Sequence, residues 1–320
     1  MAMCYSAMVK QGVKSGLRWK ARIQTDRIED LFQRRLHDDS IKIAKAFEAN
    51  FDDPQTPVEQ DIKRAIDAYH RRKTAEWEAE IFKQRKRLAD AERKLKEKET
   101  KRALDDQRIA GNKVSWLRKR IADMNRTALV PGDSRIFPYW YAPVLTTAGD
   151  EFVISPMRYH LRPAGKPAWY DRRYPGLYNA RRDNLEKFWK GSFARKHAVL
   201  VMSGFYENVA RHDYEKRALR TGEKEENVVL HFNPRPAAEM YVACLWDCWQ
   251  QRGQPDLYSF AVITDEPPPE VAATGHDRCP IPLKAENVAR WLKPEGQTRD
   301  DLFRLLDDRE RFQYAHELAA

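Results

Sequence analysis

Cys4 is the first residue of the sequence whose surroundings suggest a specific chemistry. It follows Met3 near the start of the chain, within the run MAMCYSA. If translation begins at Met3, or if the first residues are trimmed, Cys4 carries a free amine of pKa about 7.7–8.0 beside a thiol of pKa about 8.5. Such a pair can condense with an aldehyde, first to a Schiff base and then to a five-membered thiazolidine. The alternative is that Cys4 is an ordinary residue of a first strand.

Two later runs contain groups that can move protons. Glu207 ends the run SGFYE, directly after an apolar stretch, and a buried carboxylate there could serve as a general acid or base. His276 lies in the run GHDRCP, where Arg278 could hold a phosphate, and histidine is the usual proton shuttle near neutral pH. The alternatives are a surface glutamate and a solvated or capping histidine in a polar loop.

Arginine and aromatic residues alternate in the region that ends at Arg181. The run WYDRR begins at Trp169, and the run YNAR contains Asn179 and Arg181. Arginine beside aromatic rings suits phosphate binding combined with base stacking on single strands. The alternative is a solvated loop whose aromatic residues cover the core.

Motifs for metals and cofactors are weak. Cys244 and Cys248 could join His276 and Cys279 in a zinc set, but the CxxC spacing of a zinc knuckle is missing. The sequence contains no phosphate-cradling glycine loop, no HExxH and no G-x-S-x-G. We therefore expect neither a metal nor another cofactor.

Composition excludes several classes of protein. Hydrophobic residues make up 42% of the 320 residues and aromatic residues 11%, which argues against wholesale disorder. Four cysteines do not make a disulfide scaffold, and no apolar run is long enough for a signal peptide or a membrane span. The net charge of +10 favours anionic partners such as nucleic acid. These features predict a cytoplasmic protein, nucleoid-associated if bacterial, with no membrane partner.

A long charged segment lies near the N-terminus. Between Glu59 and Asp123 there are 20 Lys or Arg and 13 Asp or Glu, no proline and one glycine, Gly111. The spacing of apolar residues predicts one or two long helices over 58–109, a break at Gly111-Asn112 and a shorter helix over 114–124. The segment 58–124 could bind nucleic acid or a partner helix; the alternative is a solvated hairpin that packs one stripe on the body. Two further helices are predicted over 27–36 and 41–49.

Short apolar runs bounded by Pro, Gly and Asp dominate from about residue 130 onward. They predict strands of a mostly antiparallel sheet at Ala142–Thr147, Glu151–Ile154, Ala198–Met202, Val228–Phe232, Met240–Trp246 and Tyr258–Thr264. Helices are expected at Asn184–Trp189, Ala285–Leu292 and Arg299–Leu306. The predicted fold is α+β: a mostly antiparallel β core, 1–19 and 130–320, with a long charged α-helical insertion, 20–129.

The order of these motifs along the chain resembles that of one protein family. Met-Cys, Asn-Ala-Arg, Gly-Phe-Tyr-Glu and His-Asp-Arg-x-Pro follow one another as in the SRAP family (SOS-response-associated peptidases, or abasic-site processing proteins). The run YWYAP at 139–143 is similar to the family's Tyr-Asn-x-Ala-Pro, and MRYHLRP at 157–163 to its Met-Arg-Trp-Gly-Leu-x-Pro. The resemblance covers about 3–10 and 135–290, and it does not extend to the helical segment.

The resemblance implies a reaction and four catalytic residues. Cys4, exposed by removal of the residues before it, would bond covalently to the aldehyde of an abasic site in single-stranded DNA. Asn179 would orient the amine and the opened sugar, and Glu207 would assist Schiff-base formation and N-terminal processing. His276 would protonate the sugar ring oxygen. An autopeptidase activity and an abasic-site lyase activity are implied as well.

The resemblance also implies DNA-binding residues. Arg181 and Arg278 would hold phosphates, Arg158 would also belong to the DNA-binding residues, and Trp169 and Pro143 would form an apolar wall where flanking bases stack. The main departures are the two residues before Met3 and His160 in place of a glycine. Two other functions remain open: a self-processing cysteine peptidase without a DNA substrate, and a non-catalytic nucleic-acid or partner-binding protein that uses the basic helices.

Overall fold

The computed structural model describes residues 6–12 and 18–319. The strands are β1 Ser6–Val9, β2 Arg22–Ile23, β3 Lys42–Ile43, β4 Arg135–Ile136, β5 Trp140–Ala148, β6 Glu151–Tyr159, β7 Asn179–Arg181, β8 His197–Ala210, β9 Asn227–Arg235, β10 Met240–Trp249, β11 Leu257–Asp265, β12 Cys279–Pro280, β13 Pro282–Leu283 and β14 Gln313–Leu318. The helices are α1 Thr25–Arg35, α2 Lys45–Glu48, α3 Pro57–Glu97, α4 Lys101–Asn125, α5 Tyr170–Arg173, α6 Lys190–Phe193, α7 Arg211–Tyr214, α8 Pro269–Ala272, α9 Val288–Leu292 and α10 Arg299–Asp307.

One large sheet forms the body, in the order β13-β10-β11-β6-β5-β8-β1-β4. Strand β8 also pairs with β10, so the sheet closes on itself. Most pairs are antiparallel, while β11 pairs in parallel with β6 and β7, β2 with β6, and β3 with β5. The predicted α+β fold with a mostly antiparallel core and long charged helices is confirmed.

The six apolar runs predicted as strands all form strands. Each is longer than predicted; β8, for example, extends from Ala198–Met202 to His197–Ala210, because its second half pairs with β1 and β9. The helix predicted over Ala285–Leu292 forms as a 3₁₀ turn followed by α9, and α10 confirms the last predicted helix. The helix predicted over Asn184–Trp189 is wrong: the amides of Lys187 and Trp189 both bond to the Asn184 carbonyl, which closes turns instead.

Helices α3 and α4 form an antiparallel hairpin joined by residues 98–100. The Thr56 hydroxyl accepts a hydrogen bond from the Glu59 amide and Pro57 begins the helix, which is a strong start signal. The predicted break at Gly111 is wrong, since α4 continues through it. The break between the two helices lies instead at Thr100, whose hydroxyl caps α4 by accepting a hydrogen bond from the Ala103 amide.

The base of the hairpin has an apolar core of its own. Ile62, Ala65 and Ile66 of α3 pack with α1 and with Phe47 and Phe51. The helix predicted over 27–36 is confirmed as α1, whereas 41–49 forms β3, the short α2 and part of a 3₁₀ turn. Across the described ranges, no helix has the length and apolar character needed to cross a membrane.

Candidate active site

Glu207 lies on β8 among apolar neighbours and is fully buried. Its partner in the adjacent strand β9 is Leu230, a core residue. The side chains of Phe205 and Val209, two residues before and after it on the same face, belong to the main core. A carboxylate in such surroundings costs free energy unless another polar group compensates it.

His276 is that compensating group, and Gly275 positions it. Gly275 has φ +90°, a conformation that L side chains rarely adopt, and a Cβ there would lie 2.9 Å from Cβ of Asp213. The turn follows α8, where the Gly275 amide bonds to the Ala272 carbonyl. Nε2 of His276 then lies 2.9 Å from Oε2 of Glu207, and both side chains are almost completely buried.

The second ring nitrogen of His276 also faces an oxygen. Nδ1 lies 2.9 Å from the carbonyl oxygen of Arg278. Burial by itself would lower the pKa of His276, but the hydrogen bond to Glu207 and the charge of that carboxylate outweigh burial, and the net pKa is raised. A protonated His276 can donate to the Glu207 carboxylate and to the Arg278 carbonyl, whereas a neutral ring can accept at Nδ1 from the Arg278 amide, 3.2 Å away.

Arg181 and Arg278 are brought together beside this pair. Thr264 of β11 pairs with Arg181 of β7 on one side and with Pro280 of β12 on the other. Asp183 receives hydrogen bonds from Arg181 at 3.1 and 2.7 Å and lies 3.9 Å from the Arg278 guanidinium. The hydrogen bonds from Arg181 hold the pKa of Asp183 below its ordinary value. Asp183 was not predicted as a site residue, although it lies only two residues after Arg181.

Asn179 begins β7 and is buried. It pairs with Val262 of β11, and its position two residues before Arg181 places both side chains on one face of the strand. Asn179 and Arg181 therefore share the short strand β7. Arg278 directly precedes β12, which also pairs with β11.

The first described strand begins next to the site. Ser6 of β1 pairs with Tyr206, the residue before Glu207. The Arg135 side chain donates to the Ser6 hydroxyl at 2.9 Å and lies 3.5 Å from the centre of the Tyr206 ring. Cys4 lies outside the described residues. Arg135 was missed by the sequence reasoning, because only the pairing of β4 with β1 brings it here.

Arg158 is held in a separate buried cluster. Its guanidinium lies 2.9 Å from the carboxylate of Asp171, which also accepts from Arg162 at 3.0 and 2.5 Å. Trp169, just before α5, is 55% exposed, so its indole is available at the surface. Pro143, by contrast, is buried on β5 opposite Pro156 of β6.

His160, which occupies the position of a glycine in the resembled run, is strained. It has φ +142° and is fully buried, with its ring stacked 4.4 Å from that of Tyr139. Burial, followed by the charge of Arg158, lowers the pKa of His160 to about 4. The ring is therefore neutral at physiological pH and packs as a flat aromatic group.

The residues considered for zinc do not form a metal site among the described residues. Cys244 is buried in β10 and Cys279 in β12, and burial raises the pKa of both thiols. Within the described ranges, no group of three or more His, Cys, Asp or Glu is arranged to hold a metal ion.

Three solved structures are similar to this chain. A protein from Bacteroides thetaiotaomicron is 16% identical with a TM-score of 0.45, over 58% of this chain and 77% of that chain. A protein from Bordetella bronchiseptica is 16% identical with a TM-score of 0.45, over 61% and 90%. A phage-related protein from the same organism is 17% identical with a TM-score of 0.42, over 58% and 80%. No curated protein matches the chain at a significant level.

The family comparison covers most of the body, including Asn179, Glu207 and His276. The family model described as SOS response associated peptidase (SRAP) matches residues 95–317, from the end of α3 to the last strand. Because this match spans well over half of the chain, the protein belongs to the SRAP family.

Proposed function

We propose that this protein is a DNA-associated member of its family that forms a covalent thiazolidine cross-link with abasic sites in single-stranded DNA. The nucleophile is Cys4, after removal of the residues before it. The observation that carries the proposal is the buried Glu207–His276 pair at 2.9 Å, next to the strand that begins two residues after Cys4. In this proposal Glu207 and His276 act as base and acid close to the start of β1.

The proposed reaction uses a proton donor twice, once to open the sugar ring and once to remove water from the carbinolamine. A neutral Cys4 amine attacks the aldehyde carbon of the opened deoxyribose, and the resulting carbinolamine loses water when its hydroxyl is protonated. The Cys4 sulfur then adds to the imine carbon and the nitrogen takes up the thiol proton, so that one water leaves overall. His276, held protonated by Glu207, also suits the earlier protonation of the sugar ring oxygen.

The remaining site residues position the substrate in this proposal. Asn179 donates to the opened sugar, and Arg181 and Arg278 bind the flanking phosphates. Asp183 occupies these two arginines in the free protein, and a phosphate would replace it. Trp169 offers an exposed face for a flanking base. Pro143 would contribute to the same apolar wall, and Arg158 to DNA binding.

The same pair supports processing of the N-terminus. Removal of Met1–Met3 requires water to attack the carbonyl carbon of Met3 and the Cys4 nitrogen to leave as a protonated amine. Glu207 and His276 would serve as the base and the acid of this hydrolysis. An imine that is not captured by sulfur would allow β-elimination of the DNA strand, and this is the proposed route to lyase activity.

A denaturing gel tests the proposal directly. The protein is incubated with a single-stranded oligonucleotide that carries one abasic site, and covalent complex is scored after heating in detergent. We expect wild type and Cys248→Ser, which removes a half-buried thiol on β10, to form the complex at equal rates. We expect Cys4→Ser to form no heat-stable complex and Glu207→Gln to be slower by about a hundredfold.

Together with the intact mass of the protein, the gel also distinguishes this proposal from a self-processing peptidase without a DNA substrate. A protein that loses Met1–Met3 but forms no complex with the oligonucleotide would be a peptidase without this DNA substrate. A complex that forms equally with Cys4→Ser would contradict the assigned nucleophile.

A further inference from the structure

Four residues of the α3–α4 hairpin form an aromatic and basic surface outside the site already described. On α4, Lys113, Trp116 and Arg120 are spaced by three and four residues and therefore share one face. The Arg120 guanidinium lies 5.3 Å from the ring centre of Trp116 and 5.3 Å from that of Trp77 on α3. The Lys113 ammonium lies 4.3 Å from the Trp116 ring. We call these four residues the Trp–Arg surface.

Large indoles do not usually stay exposed on a charged helix. Trp116 is 47% exposed, whereas the buried residues of α4 are Ala103, Ala110, Val114 and Leu117. Cations that stack on exposed indoles keep the rings in place while leaving other faces open. Trp116 is absent from the buried residues of α4 and so contributes little to the core of the hairpin.

The body faces this surface across a cleft of about 560 Å³. Trp77 and Arg120 line it from the hairpin, and Lys42 and Trp140 line it from the body. Burial lowers the pKa of Lys42; Asp39 opposes this, and the nearby positive charges of Arg35, Arg120 and Lys73 add to the lowering. The cleft therefore concentrates positive charge beside aromatic rings.

The carboxylates that line the cleft are already neutralised. Each is in an ion pair with an arginine or lysine: Asp39 with Arg72 and Lys73, Glu48 with Arg35, and Asp123 and Asp133 with Arg126. In the part of the chain that the structure describes, Lys42, Lys113 and Arg120 form no such pair. Their charges are available to an anionic ligand.

We propose that the cleft and the Trp–Arg surface bind a single strand of nucleic acid. Phosphates would lie at Lys42, Lys113 and Arg120, and unstacked bases would lie on Trp77 and Trp116. A duplex keeps its bases stacked and offers no base face to these indoles, so the surface favours single strands. That the strand is DNA flanking an abasic site rests on the proposed function.

The test compares two double variants of the full chain on single-stranded oligonucleotides of about 6 and about 30 nucleotides, each with one abasic site. Lys113→Gln/Arg120→Gln removes two charges from the Trp–Arg surface. Lys83→Gln/Arg93→Gln removes two charges from α3 at exposed positions where each cation contacts only a carboxylate three residues earlier on the same helix. Affinity is measured by fluorescence anisotropy at several salt concentrations, and cross-linking by denaturing gel.

We expect the Trp–Arg double variant to bind the long oligonucleotide about tenfold more weakly than wild type. The slope of log affinity against log salt should become shallower by about 1.4, for two lost contacts with a single strand. Trp116→Ala should also weaken binding about tenfold, but it should leave the salt slope unchanged. The control double variant should match wild type, and all should cross-link the short oligonucleotide at the same rate.

Two results would overturn the inference: equal affinity and salt slope for both double variants, or no binding of single-stranded DNA by wild type. The second result would favour a protein partner for the hairpin. Wild type could fail to cross-link while its binding to the long strand still depends on the Trp–Arg surface. That result would reject the proposed function and support this inference.

Discussion

At the scale of single residues, the buried contact of 2.9 Å between Nε2 of His276 and Oε2 of Glu207 makes the stability of the fold depend on pH. Because the pKa of folded His276 is raised, the pair stabilises the protein fully below the ordinary histidine pKa of about 6.5. This contribution is lost as the pH rises through the raised pKa of the folded state.

Glu207→Gln measures this contribution. Removing one partner of a buried ion pair typically costs about 3 kcal/mol, so the variant should unfold more easily by roughly that amount below pH 6. The difference from wild type should shrink as the pH rises, since wild-type His276 then becomes neutral as well. Urea unfolding at several pH values gives the free energies, and a difference that grew with pH would contradict the raised pKa.

Gly204, in the SGFYE run, lies where three polar atoms leave no room for a side chain. A Cβ there would come within 2.7 Å of Oδ1 of Asn233, Nε2 of His231 and the carbonyl oxygen of Phe232. We expect Gly204→Ala to destabilise the fold by about 1–3 kcal/mol. Thermal unfolding checks this, with Gly191→Ala as a control because no atom lies within 4 Å of its added Cβ.

Sequence reasoning could name residues of the site that belong to recognisable runs. It predicted Glu207 and His276, which the fold brings into contact, although their roles stay a proposal. It could not predict Asp183 as the partner of two arginines or Asp171 as the partner of Arg158, because these contacts depend on pairings between distant strands and on a loop position.

At the scale of elements, apolar runs and capping decided what could be predicted. Strands were found because runs of apolar residues bounded by Pro, Gly or Asp lie at their centres, as in β5, where Tyr141–Thr146 are all buried. The two-residue strands β2 and β3 have no such pattern, and they form only because β6 and β5 offer parallel partners. The helix break was misplaced because a lone glycine is a weaker signal than the Thr100 cap.

Gly111→Ala tests the finding that α4 runs through this position. The added Cβ would meet nothing within 4 Å, and alanine restricts the unfolded chain more than glycine does. We expect a gain of about 0.5–1 kcal/mol in the free energy of unfolding. Urea denaturation measures it, and a loss of stability would indicate a break at 111.

At the scale of the whole molecule, one buried ion triad attaches the hairpin to α1 and α2. Glu48 pairs with Arg35 of α1 and lies 2.8 Å from Nε2 of His70 on α3. Burial by itself would raise the pKa of Glu48, but the hydrogen bond from His70 and the charge of Arg35 outweigh burial and lower it. The division of the chain into a core of 1–19 and 130–320 and an insertion of 20–129 stays a prediction.

Glu48→Ala should release this attachment. It leaves the buried Arg35 guanidinium without its carboxylate, which typically costs about 3–5 kcal/mol. The contribution of Glu48 is present above the ordinary glutamate pKa and is lost as the pH falls through the lowered value, so the difference from wild type should shrink in acid. Unfolding followed by circular dichroism checks this, with Glu78→Ala on the exposed side of α3 as the control.

The intact mass of the protein tests the central claim most directly, measured before and after incubation with a single-stranded oligonucleotide that carries one abasic site. We predict a chain that begins at Cys4 and, after incubation, a species equal to protein plus oligonucleotide less one water, absent from Cys4→Ser. A chain that begins at Cys4 but gains no oligonucleotide mass would contradict the proposed reaction.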